Sequence, residues 1–269
     1  MIRKTLQATQ LATYSIDLPD PGLQGMPRSY GTGFIVSPDG WMITAAHVIT
    51  QNNRSDGPIR EDLHQAWLTK ETRKFGVPGG MCIGLEVGCV LAALDFALLK
   101  TDFSTNASRA HLTGRSNFPF LTISLRSLDE GEPVYAFGYP LGEATLLDTP
   151  QVTMGATSLA PRVTSAIVAS TIVRTRPFSS SADPREYVLD KALDYGNSGG
   201  PIIATETGNT HAFCSRFQPV TIQQEVMPSQ GDAAHFPVVI PSLYGVVVGL
   251  HNPSIVEELM RRDIPLAEN

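Results

Sequence analysis

From Tyr30 to Leu250 the chain is broken into short runs dense in Val, Ile, Phe and Tyr, among them YGTGFIVS, WMITAA, FLTISL, TSAIVASTIV, GPIIAT, THAFCSRF and YGVVVGL. Turn residues separate them. Cβ-branched and aromatic side chains pack well on a pleated surface, so this recurrence predicts an all-β sandwich or barrel. Strands do not alternate regularly with amphipathic helices, which argues against a parallel α/β sheet. Helix is expected in two places only. One is a turn around AAHVITQ. The other is a terminal segment, 254–262, in which Ser254 can cap, Glu257 completes a capping box, and Ile255, Val256, Leu259 and Met260 form an apolar face. Residues 1–28 end in the turn-rich DLPDPGLQGMPRS and read as an arm or lead-in strand attached to the main body.

The 269 residues allow one large or two small domains, and 42% hydrophobic against 17% charged residues excludes disorder. No apolar run reaches the ~18 residues of a membrane span. The net charge of −6 comes without a basic stripe, so neither nucleic acid nor an anionic membrane is an expected partner. Basic residues near the amino terminus are not followed by the apolar core of a signal peptide, and the expected location is cytoplasmic. Cys82, Cys89 and Cys214 read as buried free thiols of a reducing compartment. None lies in a Cys/His cluster, so no metal or other cofactor is expected.

Three local patterns carry chemistry. In GTGFIVSPDGWMITAAHVI, a strand, a Pro-Asp-Gly turn and a second strand deliver His47 to a helical turn. In LAALDFALLK, Asp95 is the only charge from Val90 to Leu98. Burying a carboxylate there costs several kcal/mol unless something pairs with it, and an imidazole N–H would serve. In DYGNSGGPII, glycines at 196, 199 and 200 surround Ser198 and let the backbone bend so that N–H groups converge on one spot, the geometry of an oxyanion hole.

TAAH, LDFALL and GNSGGP, in that order and separated by 48 and 103 residues, resemble the three signatures of the chymotrypsin-like (trypsin-fold) serine peptidases, closest to the bacterial HtrA/Deg-type protease domain. VYAFGYPLG, VTSAIVAS and YGVVVGLHN add weaker echoes. The resemblance implies two six-stranded antiparallel β-barrels packed around a central cleft, followed by the short C-terminal helix. The first barrel would span 29–115 with His47 and Asp95. The second would span 116–269 with Ser198 and an insertion at 205–242. It further implies Ser198 as nucleophile, His47 as general base and then acid, Asp95 as the group orienting the imidazole, and the N–H groups of Gly196 and Ser198 as the oxyanion hole. The implied reaction is endopeptidase cleavage of a protein or peptide substrate through an acyl-enzyme. Two alternatives share the fold: a catalytically silent peptide-binding module, and an esterase or acyl-transfer enzyme using the same triad.

The departures from the family are informative. Val48 stands where secreted animal members have cysteine, and Asn197 where they have the aspartate that pairs with a newly cut amino terminus, so activation by such processing is not expected. Six residues before the nucleophile, at the family's pocket floor, stands Ala192 and not an acidic residue; a trypsin-like preference for Lys or Arg is therefore not expected, and small or medium apolar side chains are expected at the cleaved position. Val248, Gly249, Leu250 and His251 resemble the strand that pairs with substrate backbone. The 205–242 segment is expected to shape or cover the cleft. No peptide-binding module is expected after residue 252, which leaves regulation to a protein partner.

Overall fold

The computed structural model describes residues 2–20, 22, 26–70, 79–101, 117–140, 143–148, 153–158, 161–173, 185–193, 195–217, 220–225, 235–240 and 244–267. An amino-terminal helix, α1 (Ile2–Ala12), leads into the first lobe. Its strands are β1 (Thr13–Asp20), β2 (Met26–Ile35), β3 (Trp41–Ala45), β4 (Trp67–Lys70), β5 (Gly79–Cys82), β6 (Leu85–Leu91) and β7 (Phe96–Thr101). They pair antiparallel in the order β5-β4-β1-β2-β3-β7-β6. Only Ile83 and Gly84 separate the two outermost segments, and Ile83 is buried with its N–H donating to the Ala66 carbonyl at 2.9 Å. The sheet therefore begins and ends on one bent strand, which makes the seven segments a six-stranded barrel. Tyr14, Ile16, Phe34, Ile43, Phe96 and Leu98 fill it.

Ten strands follow: β8 (Pro133–Gly138), β9 (Glu143–Asp148), β10 (Thr153–Ser158), β11 (Arg162–Val173), β12 (Arg185–Leu189), β13 (Pro201–Ala204), β14 (Thr210–Phe217), β15 (Val220–Glu225), β16 (His235–Ile240) and β17 (Gly245–Gly249). Six of them close a second barrel in the order β11-β12-β17-β14-β13-β8, while β9 with β10 and β15 with β16 form separate two-stranded ribbons. Val134, Val168, Leu189, Ile202, Ala212 and Val247 are among its core side chains. Helix α2 (Pro253–Met260) closes the chain. The two-barrel, all-β architecture expected from the resemblance is the one observed.

Several boundaries differ from expectation. Of the arm or lead-in strand expected over 1–28, residues 13–20 are a strand, and one built into the barrel: β1 lies between β2 and β4, with Tyr14, Ile16 and Leu18 fully buried. Asp17 and Pro19 disguise the strand. A bulge between Ile16 and Asp17 accommodates the carboxylate, which accepts the Ser15 hydroxyl at 2.5 Å. Helix α1 was not expected at all. The segment 205–242 is only partly an insertion, because β14 is an interior strand of the second barrel; what remains as an excursion is the β15–β16 ribbon. Residues 102–116, which include the expected boundary between the lobes, lie outside the described residues. At α2, Pro253 takes the first turn, where its missing N–H costs nothing. Asn252, rather than Ser254, holds the capping position, and its amide donates to the Gly249 carbonyl at 2.6 Å. Residues 261–263 form a turn, so the helix stops short of 262. Cys214 is buried and free, and Cys89 is free but only half-buried; the Cys82 side chain lies outside the described residues.

Candidate active site

Strand β3 ends in a 3₁₀ turn, Ala46–Val48, whose Ala46 and Val48 side chains are buried and fix the direction of His47 between them. A second 3₁₀ turn, Ala92–Leu94, ends at Asp95, which adopts the left-handed conformation at φ 51°; aspartate tolerates this better than most residues. The two turns interlock. The Asp95 carbonyl accepts from the Ala46 N–H at 2.8 Å, and its Oδ1 accepts from the His47 N–H at 3.0 Å. Its Oδ2 lies 2.8 Å from His47 Nδ1 and accepts the Ser215 hydroxyl at 2.7 Å. Asp95 is 7% exposed, and these three contacts supply the partners that a buried carboxylate requires. His47 Nδ1 faces the carboxylate, and the residue borders the cleft.

Ser198 sits in a turn shaped by glycine. Gly196 has φ 95° and Gly199 φ 82°, and a Cβ on Gly199 would stand 2.2 Å from both the Thr32 carbonyl and Thr44 Oγ1. The turn is held from both lobes. Thr32 N–H donates to the Ser198 carbonyl at 2.8 Å and Thr32 Oγ1 to the Gly196 carbonyl at 2.6 Å, while Gly199 N–H donates to the Cys214 carbonyl at 2.7 Å. Asn197 is 2% exposed, with its amide oxygen close against Gly138. Among the described residues, the N–H groups of Gly196 and Ser198 donate to no protein acceptor. Backbone donors left open beside a serine suit an incoming oxyanion.

His47, Asp95, Gly196 and Ser198 line one cleft of about 840 Å³. Arg28, Tyr30 and Arg54 border it from the first lobe; Leu193, Tyr195, Ser215, Arg216 and Glu186 border it from the second. Among the described residues no group of three or more His, Cys, Asp or Glu side chains is arranged to hold a metal ion.

The expected substrate contacts are corrected by this geometry. Ala192 is exposed and does not line the cleft, and neither do Val248, Gly249, Leu250 or His251. Strand β17 is paired on both sides, by β12 and β14, so it has no edge to offer; Val248 and Leu250 are buried, and the His251 ring packs against Tyr187 with centroids 5.9 Å apart. The available edge belongs to β14. Its pairing with β13 ends at Phe213, Cys214 is still bonded to Gly199 and Gly200, and the next residues, Ser215 and Arg216, border the cleft. Sequence reasoning placed THAFCSRF in the insertion and so missed Ser215 and Arg216. A serine on the second strand after the nucleophile turn was the available signal.

Comparison with known proteins gives a family and a fold. Residues 31–211, more than half of the chain, match the family described as trypsin-like peptidase domain. Serine protease HTRA4 of Mus musculus is 29% identical over 181 residues, which cover 67% of this chain and 28% of that protein. The mitochondrial serine protease HTRA2 of Bos taurus is 28% identical over 185 residues, covering 66% of this chain and 30% of its own length. The chain thus matches less than a third of these relatives. Among solved structures, the active form of the Rv3671c protease from M. tuberculosis superposes with a TM-score of 0.57 over 98% of this chain and 85% of that one, at 18% identity, a likeness of fold.

Proposed function

Because the chain belongs to the trypsin-like peptidase family, we propose that it is a serine endopeptidase that cleaves protein or peptide substrates through an acyl-enzyme formed on Ser198. The observation that carries the reading is the Asp95 carboxylate, bonded at once to His47 Nδ1 in one lobe and Ser215 in the other, with Ser198 in the same cleft. Ser198 Oγ attacks the substrate carbonyl while His47 Nε2 takes its proton, and Asp95 stabilises the resulting imidazolium. The carbonyl oxygen gains negative charge and settles against the N–H groups of Gly196 and Ser198. His47 then returns the proton to the departing amine. A water molecule, deprotonated by His47, releases the acyl group and restores the hydroxyl. An extended peptide would lie along residues 215–217, adding a strand to the open edge of β14.

A fluorophosphonate probe is expected to label the wild-type chain at Ser198 and to leave Ser198→Ala unlabelled, with casein degraded only by the former. Loss of His47 should lower turnover by ~10⁴–10⁶. Labelling without casein cleavage would turn the reading toward an esterase, and no labelling at all would leave a peptide-binding module. In the same reading the chain works in the cytoplasm, in keeping with the free thiols of Cys89 and Cys214; recovery of the protein in a periplasmic or secreted fraction would contradict that location.

A further inference from the structure

The cleft wall beside Ser215 carries an ion pair that the catalytic scheme does not use. Arg216 Nη1 donates to Glu186 Oε1 at 2.9 Å and Nη2 to Oε2 at 2.6 Å, two parallel bonds of the fork-to-fork kind. The partners differ in exposure: the Arg216 side chain is 40% exposed and that of Glu186 is 4%. Both border the cleft. The pair is therefore a fixed dipole with its carboxylate set into the wall and its guanidinium toward the space a substrate enters. A guanidinium carries five N–H donors, and the bonds to Glu186 use two. Arg216 also immediately follows Ser215 on the strand whose open edge borders the cleft.

Resting on the peptidase reading, we propose that Arg216, oriented by Glu186, is a specificity-determining residue that favours substrates with an Asp or Glu side chain next to the 215–217 edge. A carboxylate in the cleft meets the guanidinium before the buried Glu186, so attraction to the nearer charge outweighs repulsion from the farther one. Because Glu186 already fixes the Arg216 side chain, little rotamer freedom is lost when a substrate group docks on it. A lysine side chain in the same place meets the positive end of the dipole and is disfavoured. This replaces the expectation of small or medium apolar side chains drawn from Ala192, which lies outside the cleft.

The test is kcat/KM on a peptide library in which each position around the cleaved bond carries Glu, Gln or Lys in turn, measured for three proteins. The wild-type chain should prefer Glu over Gln at one position by about five- to tenfold, the range of a charge-assisted hydrogen bond that is partly open to solvent. Glu186→Gln removes the buried countercharge while keeping the shape, and should widen that preference. The double variant Glu186→Gln with Arg216→Gln removes both charges of the pair together and should abolish it. Cleavage by the wild-type chain with no discrimination between Glu, Gln and Lys would overturn the proposal and leave the peptidase reading standing. So would a Lys preference that Glu186→Gln removes, since Arg216 would then be only a displaceable plug over an acidic niche. No cleavage of any peptide, with no fluorophosphonate labelling, would sink the peptidase reading and this proposal together.

Discussion

Ser215 connects the lobes at the atom where the chemistry is organised. Its hydroxyl donates to Asp95 Oδ2, the same oxygen that faces His47 Nδ1, across 120 residues of sequence. Ser215→Ala removes this bond but leaves Asp95 with both His47 contacts, so the fold should survive while the carboxylate loses one of its anchors. Hydrogen bonds to charged groups contribute about 1.5–3 kcal/mol, so kcat/KM should fall about ten- to hundredfold, and an unchanged value would make Ser215 a bystander. Asp95 itself was legible in the sequence, because a lone carboxylate in an apolar run must find a partner. Which hydroxyl would share it was not, since that contact depends on how two barrels dock. His211 tests the opposite kind of residue, a titratable group without a place in the reaction. It is 1% exposed, and burial lowers its pKa below the ordinary imidazole range even though the Arg126 carbonyl accepts from its Nδ1 at 2.9 Å. The Arg126 charge acts in the same direction as burial, and Glu132 opposes them. A neutral native imidazole contributes full stability above the unfolded pKa of about 6.5 and loses it as the pH falls from there through the lowered native value. The urea midpoint should therefore drop between pH 7.5 and pH 5, and His211→Gln should flatten that part of the drop.

At the scale of elements, two strands with similar composition exchanged roles. THAFCSRF and YGVVVGL both carry the branched and aromatic side chains of a barrel strand, and neither pattern says which will have a free edge. Pairing decides: β17 is filled on both sides, whereas β13 covers β14 only as far as Phe213. The β1 strand was obscured for a different reason, since Asp17 is buried at 4% exposure and helped by Ser15, a tertiary solution that strand propensity does not anticipate. Deleting residues 1–20 removes a strand from between β2 and β4 and exposes their edges, so the truncated chain should lose cooperative thermal unfolding and all fluorophosphonate labelling. A folded, labelled truncation would show that β1 is dispensable and would restore the reading of this region as an arm. The glycines of the nucleophile turn were legible because their requirement is local: a positive φ at Gly196 and Gly199 and no room for a Cβ are conditions that a single short motif can satisfy.

Across the whole molecule, each end of the chain reaches over to the lobe it does not build. Helix α1 precedes the first barrel, yet Thr5 lies so close to Gly208, in the β13–β14 turn of the second, that a Cβ there would stand 2.9 Å from its methyl group. Helix α2 follows the second barrel, yet Arg262 just beyond it donates to the Gly88 carbonyl of β6 at 2.6 Å, pairs with Glu258, and places its guanidinium 5.2 Å from the centre of the Trp41 ring on β3. Tyr139 adds a third crossing, its hydroxyl donating to the Thr13 carbonyl at 3.2 Å. A site divided between two barrels works only while the barrels hold their relative placement, because His47 and Asp95 come from one and Ser198 and Ser215 from the other. Trp41 begins the strand that delivers His47, so the contact with Arg262 bears on the position of the base. Arg262→Ala removes a hydrogen bond, an ion pair at 16% side-chain exposure and a cation–π contact. Together these should lower unfolding stability by about 1–3 kcal/mol, read from the urea midpoint at constant slope. The rate of Ser198 labelling, measured well below the unfolding temperature, should fall as well. A lower midpoint with an unchanged labelling rate would show that the crossing segment stabilises the first barrel without setting the register between the lobes.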